Sequence, residues 1–349
     1  MLLKLEELDA SNCSNLGVIP SNIEKRSSLR ILRLDWTDIR SLPTSICGLP
    51  HLQTLELQGC KKLQFLPELP SSLVSLRVTC KPMETFLNLP SLINLKVLLL
   101  FYWPKLLKIP KDIVKLAKLE TLTLDDINIS SLPMELGALS RLKELTIIDC
   151  EQIQCLPTLP SSLIILHLRH CSSMNRLPDL SNLKNLSELK IWRCLELIDI
   201  QGLGRLELLI DLDLYGRESL ETLPDLSNLK KLRKIDTSEC KNLNEIRGLD
   251  RLESLEYLNM SECKSLERLP DLSRLEMLKE LKLSQCQKLR EIEGLEALKS
   301  LNRVYLTWCT ALERIPDLSS LTDLDVLDLG GCEKLGEISG CNSLFRFYR

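Results

Sequence analysis

LIDLDLYGRESLETLPDLSNLKK (209–231) runs straight into LRKIDTSECKNLNEIRGLDRLES (232–254) and LEYLNMSECKSLERLPDLSRLEM (255–277), three stretches of 23 residues each. The unit restarts at Leu278, Leu301 and Leu324. Working outward toward the N-terminus, the pattern L-x-x-L-x-L-x-x-C recurs as LEELDASNC from Leu5, LQTLELQGC from Leu52 and LKELTIIDC from Leu142. It recurs again as LIILHLRHC from Leu163 and LSELKIWRC from Leu186. Copies without the cysteine start at Leu29, Leu95 and Leu119, and a shortened one at Leu73, which makes fifteen between Leu5 and Cys332. Self-similarity at such a fixed period marks a repeat architecture.

The spacing dictates what each copy does. The last two leucines of L-x-x-L-x-L are two residues apart, so they share one face of an extended strand. One strand cannot bury them alone, but stacked copies place leucine on leucine. Prolines at Pro43, Pro133, Pro178, Pro224, Pro270 and Pro316 disfavour a long helix in the return segments. The expected fold class is α/β: a leucine-rich-repeat solenoid, a curved horseshoe with a parallel β-sheet on its concave face. Short helical or 3₁₀ turns are expected on the convex face.

A second period overlies the first. Returns containing P-D-L-S, at Pro178, Pro224, Pro270 and Pro316, alternate with returns containing Gly-Leu, at Gly202, Gly248 and Gly294, giving a 46-residue pair. The expected organisation is one continuous solenoid over 1–349, with irregular repeats in 1–160 and regular paired repeats in 161–349. A change of curvature is expected around 155–185. Neither terminus reads as a polar cap, so the sequence is expected to be part of something larger.

Composition narrows the function. Hydrophobic residues make up 44% of the chain but aromatics only 4%, and charged residues make up 27% at a net charge of −3. That balance leaves no basic excess to point to nucleic acid or anionic membrane, and no nucleic-acid partner is expected. The start, with Lys4 and then Glu6, Glu7 and Asp9, does not resemble a secretory signal, and the most apolar stretch, Leu92 to Trp103, is too short to span a bilayer, so no membrane span is expected. The fourteen cysteines are spread through a long chain and are expected to be reduced, as in a cytoplasmic protein.

Ten of those cysteines close the motif: Cys13, Cys60, Cys150, Cys171, Cys194, Cys240, Cys263, Cys286, Cys309 and Cys332. They are expected to be small buried side chains, since a ladder with one thiol per rung does not converge on a metal. His167 and His170 face opposite ways on a strand and make no catalytic pair with Cys171. Phosphate-binding, dinucleotide, serine-nucleophile and zinc-protease motifs do not occur, so no catalytic residue, cofactor or metal site is expected. The outward strand positions are the free variables. The candidate protein-binding residues of the concave face are Phe101, His167, Arg169, Lys190, Trp192, Asp213, Tyr215, Asp236, Tyr257, Lys282, Arg303 and Tyr305. The aromatic members carry the most weight in a chain this poor in rings. Trp103 and Trp308, at or beside the cysteine position, are expected to be structural.

The motif, with returns such as SLPTSICGLPHL (41–52) and LPELPSSL (66–73), resembles the leucine-rich-repeat region of plant intracellular immune receptors of the Toll/interleukin-receptor-type nucleotide-binding class. The resemblance implies a module that recognises a pathogen effector or monitors a host protein. It also implies one that restrains an upstream nucleotide-binding module. The sequence departs from the family in holding no phosphate-binding loop. A free-standing cytosolic scaffold or inhibitor unrelated to immunity is the alternative. An enzyme, such as a leucine-rich ligase, would need a catalytic domain that these residues do not contain.

Overall fold

The computed structural model describes residues 4–79, 81 and 88–336, and the backbone of 346–348. The chain divides into two compact units, residues 1–165 and 166–349. In the first unit each repeat opens on one strand: β1 (Glu7–Asp9), β2 (Ile31–Arg33), β3 (Thr54–Leu57), β4 (Ser75–Thr79), β5 (Val97–Trp103), β6 (Thr121–Ile127) and β7 (Glu144–Ile148). These pair in parallel in chain order. The register sets Leu32, Leu55, Leu76, Leu98, Leu122 and Leu145 side by side, and all six are fully buried.

The second unit repeats the plan. Strand β8 (Ile165–Arg169) carries the dividing point, followed by β9 (Glu188–Trp192), β10 (Asp211–Asp213), β11 (Thr222–Leu223), β12 (Lys234–Asp236), β13 (Glu245–Ile246), β14 (Tyr257–Asn259), β15 (Glu280–Lys282), β16 (Arg303–Tyr305), β17 (Val326–Asp328) and β18 (Arg346–Tyr348). All but β11 and β13 form one parallel ladder, and those two pair with each other among the return segments. Leu189, Leu212, Ile235, Leu258, Leu281, Val304 and Leu327 make the matching apolar column.

The returns are compact, as the prolines require. Among the described residues every helix is a 3₁₀ turn of three to five residues. Those at Ser21–Lys25, Thr44–Gly48, Lys111–Lys115 and Met134–Ala138 each follow a proline at the cap.

The 46-residue period has a physical cause. In each P-D-L-S return the aspartate folds back on its own turn: Asp179 Oδ1 accepts the Ser181 N–H at 2.8 Å, and Asp225 does the same for Ser227. The next repeat contributes a left-handed glycine, Gly202 at φ 80° or Gly248 at φ 75°. A Cβ on either would overlap the aspartate carboxylate of the preceding repeat. The Leu180 and Leu226 N–H groups then donate to Gln201 and Arg247 carbonyls, both at 2.9 Å. The two return types interlock, so neither can follow itself without losing the fit.

The cysteine ladder is buried at Cys60, Cys150, Cys171, Cys194, Cys240, Cys263, Cys286 and Cys309. Cys332 is half-buried, and Cys13 corrects the expectation outright, being exposed with a described rung, that of β2, on one side of it only. The ladder also explains its own chemistry. Cys240, Cys263, Cys286 and Cys309 each donate S–H to the carbonyl 26 residues earlier, at 3.0–3.2 Å. A small apolar side chain with one weak donor fits that place. Burial pushes the Cys150, Cys240 and Cys286 thiols up to about 12, so they are inert at neutral pH.

Candidate protein-binding face

The strand face opposite the leucines carries the polar and aromatic positions, because side chains alternate across a strand. In the second unit the register aligns Lys190, Asp213, Asp236, Asn259, Lys282, Tyr305 and Asp328 in one row. A neighbouring row runs Glu188, Asp211, Lys234, Tyr257, Glu280 and Arg303. Trp192 closes β9, and Tyr215 lies two residues beyond Asp213.

Charges on these rows are knitted together. His167 Nε2 lies 2.9 Å from Glu188 Oε1, and Lys190 pairs with the same carboxylate and lies 3.7 Å from Asp211. Burial works against the Lys190 ammonium, yet its hydrogen bond to Glu188 holds its pKa above the ordinary lysine value. Burial likewise opposes the Glu188 carboxylate, and its hydrogen bonds to Lys190 and His167 outweigh that and lower its pKa. Farther along, Lys282 bonds Glu280 at 2.8 Å while Arg303 approaches the same carboxylate at 3.6 Å. Asn259 donates to Asp236 at 3.0 Å.

Four aromatic rings of the second unit, Trp192, Tyr215, Tyr257 and Tyr305, each meet a cation. Arg169 sits 5.5 Å over Trp192, and Lys282 lies between Tyr257 and Tyr305, at 5.2 and 5.5 Å. Arg193 stacks 5.2 Å over Tyr215 and donates to its hydroxyl, which in turn donates to Glu239 at 2.6 Å. Such contacts hold rings and guanidinium groups in fixed positions. Arg169 and Arg303 are exposed, whereas Trp192, Tyr215, Tyr257, Lys282 and Tyr305 are half-buried. The result is a preorganised, partly apolar surface with charges of both signs.

Two candidate positions stand apart. Phe101 belongs to the first unit, half-buried on β5 between Thr79 and Asp125 in register. Asp213 is only 6% exposed and is a correction to the surface list. It accepts the Tyr215 N–H at 3.2 Å and faces Lys234 at 3.6 Å. Burial, with the Asp236 charge adding to it, raises its carboxyl pKa.

Trp103 is fully buried, as a residue at the ladder position should be. Trp308 is not: 58% exposed, it overturns the structural expectation. The residue before the ladder position adopts the left-handed region at Trp36, Tyr102, His170, Arg193, Glu239, Glu262, Gln285 and Trp308. At Trp36, Arg193 and Trp308 the side chain lies against the glycine one rung later. Trp36 rests where a Cβ on Gly59 would be, and Trp308 where a Cβ on Gly331 would be. The sequence signal was the glycine one rung later. In a variant keeping Trp308 as the single tryptophan, Gly331→Ala should unseat the ring, whose six-membered edge lies 2.8 Å from the added Cβ. Acrylamide quenching should rise and stability should fall by roughly 1–2 kcal/mol from the left-handed backbone alone. Unchanged quenching would mean that the glycine does not seat the ring.

Among the described residues no helix is long and apolar enough to cross a membrane, and no group of three His, Cys, Asp or Glu side chains is placed to hold a metal.

Comparison with known proteins places the repeat. A family model described as Leucine Rich Repeat matches residues 4–25. Disease resistance protein RPS6 of Arabidopsis thaliana is 30% identical over 222 residues, covering 62% of this chain and 19% of that protein. TMV resistance protein N of Nicotiana glutinosa is 29% identical over 188 residues, covering 44% of this chain and 16% of that protein. The match thus spans under a fifth of either relative's length. Among solved structures, the leucine-rich effector protein YopM of Yersinia pestis aligns with a TM-score of 0.63 at 22% identity, over 98% of this chain and 88% of that one. The fold is a leucine-rich repeat, and the sequence is similar to plant disease resistance proteins.

Proposed function

We propose that this chain, a leucine-rich-repeat protein similar to plant disease resistance proteins, is a cytoplasmic protein-binding module: the recognition and autoinhibitory segment of a plant intracellular immune receptor. Its partners on this reading are a pathogen effector, a guarded host protein or an upstream nucleotide-binding module. It works by surface complementarity and catalyses nothing. The observation that carries the reading is the second unit's open sheet face, where half-exposed rings are fixed under cations on a rigid ladder. Aromatic and arginine side chains already held in place lose little entropy on binding, which is what makes interface anchors. The similarity to resistance proteins supports the immune setting of this reading.

The test is affinity capture from leaf cytosol with the whole chain as bait. Trp192→Ala combined with Arg303→Glu should weaken capture of a specific partner about tenfold or more, with the thermal midpoint nearly unchanged. Glu207→Lys, on an exposed return segment, should leave capture intact. Equal loss from both, or lowered stability with capture per folded molecule unchanged, would reduce the rings to packing. An in-frame phosphate-binding loop upstream in the transcript would support the receptor setting, and a stop codon directly upstream would remove it.

A further inference from the structure

Trp36 and Trp308 occupy the same place in their rungs, each in the left-handed region with a glycine one rung later. Their surroundings differ in charge. In the first unit RLDW (33–36) is followed on the next rung by ELQGCK (56–61), and in the second unit YLTW (305–308) is followed by DLGGCE (328–333). The first set is satisfied from within the chain. Lys61 lies 6.0 Å over the Trp36 ring, and Arg33 pairs with Glu56 at 3.1 Å. In the second set Glu333 stands where Lys61 would be, and Tyr305 where Arg33 would be. Both cations are gone, and a carboxylate has taken the place of one of them.

The consequence is visible around Trp308. Among the described tryptophans and tyrosines that reach the surface, Trp36, Tyr102, Trp192, Tyr215, Tyr257 and Tyr305 each have a cation of the chain over the ring. Trp308 has none, although it is the most exposed of them. Its indole lies against Gly331, which leaves the opposite face to solvent. Beside it, Asp328 Oδ1 accepts only the Gly330 N–H, at 3.2 Å. Glu333 is exposed. No basic side chain among the described residues pairs with either carboxylate, whereas the neighbouring Glu280 holds both Lys282 and Arg303.

We propose that Trp308, Asp328 and Glu333 form a subsite for an arginine side chain of a protein partner. The guanidinium lies on the open indole face, and the two carboxylates at the rim take its N–H donors. This rests on the reading of the chain as a protein-binding module, and it gives one anchor of the partner a definite chemistry. Arginine fits better than lysine, because its plane stacks on the ring while its fork of donors reaches carboxylates at the edge. The partner thus supplies to Trp308 what the chain itself supplies to Trp36.

Fluorine NMR of the full chain labelled with 5-fluorotryptophan tests this directly. The chain has four tryptophans, and Trp308→Phe identifies the signal in question. N-acetylarginine amide should move the Trp308 resonance, and N-acetyllysine amide should move it less. Trp36 and Trp192, already covered by Lys61 and Arg169, should stay in place. Asp328→Asn combined with Glu333→Gln should cut the response about threefold or more. Glu333→Lys copies the Trp36 arrangement, so it should shift the Trp308 resonance by itself and abolish the response to arginine. Equal movement of Trp192, an equal response to maltose, or an arginine response that survives Glu333→Lys would overturn the assignment. The small probe needs no partner. Failed capture from leaf cytosol with this response intact would sink the receptor reading alone, and successful capture with no response would sink the subsite alone.

Discussion

Leu212→Ala is expected to lower the free energy of unfolding by about 2–5 kcal/mol, read as a reduced urea midpoint. Leu212 has no exposed surface and sits in register between Leu189 and Ile235. Truncation removes the transfer free energy of the lost methyl and methylene groups and opens a cavity against both neighbours. In a compact core that cavity partly collapses. Here strand pairing fixes the spacing of the rungs, so collapse would have to break ladder hydrogen bonds on either side. The cost belongs at the upper part of the range for that reason. Because each repeat touches only its neighbours, the lesion should also be local. Amide exchange should accelerate in the two rungs flanking Leu212 before it does so in the first unit. The control is Leu208→Ala, at an exposed return position, which should cost within about 0.5 kcal/mol. Equal costs for the two would mean that the apolar column is not what holds the rungs together.

The leucine column was readable from sequence because one spacing, repeated fifteen times, leaves the strand face no freedom. The limits of that reading fall at identifiable residues. Strict alternation puts Asp213 on the outward face beside Asp211, and it does lie on that face. Alternation says nothing about what covers a side chain there, and Lys234 together with the Tyr215 backbone takes Asp213 out of solvent. Trp308 failed for another reason. Alternation holds only while the chain stays extended, and the residue before the ladder position turns left-handed, at φ 60°, which sends the ring outward. Gly59, Gly216 and Gly331 followed Trp36, Arg193 and Trp308 by one rung as a visible signal. Arg217 was visible as a letter out of place between Cys194 and Cys240, but its full burial and the lack of an acceptor for its Nε and Nη1 are facts of packing. The cations over Trp192, Tyr215, Tyr257 and Tyr305 were also beyond sequence, since they depend on which neighbouring long side chain turns toward the ring.

The interlock behind the 46-residue period yields the second large effect. Gly248→Ala is expected to cost about 2–3 kcal/mol, the sum of roughly 1–2 for a left-handed non-glycine residue and about 1 for a damaged cap. At φ 75° the added Cβ would overlap Asp225 Oδ1 and lie 2.5 Å from the Ser227 nitrogen. It would strike the very pair whose 2.8 Å hydrogen bond shapes the preceding turn. Gly17→Ala is the control, since nothing lies within 4 Å of its Cβ. There the change should be within about 0.5 kcal/mol. A double-mutant cycle separates the two contributions. Asp225→Ala removes the carboxylate, so the double variant should cost less than the sum of the singles by about 0.5 kcal/mol or more, while the backbone penalty at Gly248 remains. Strict additivity would mean that the aspartate and the glycine do not feel each other. The alternation of the two return types would then need a cause outside the packing of neighbouring repeats.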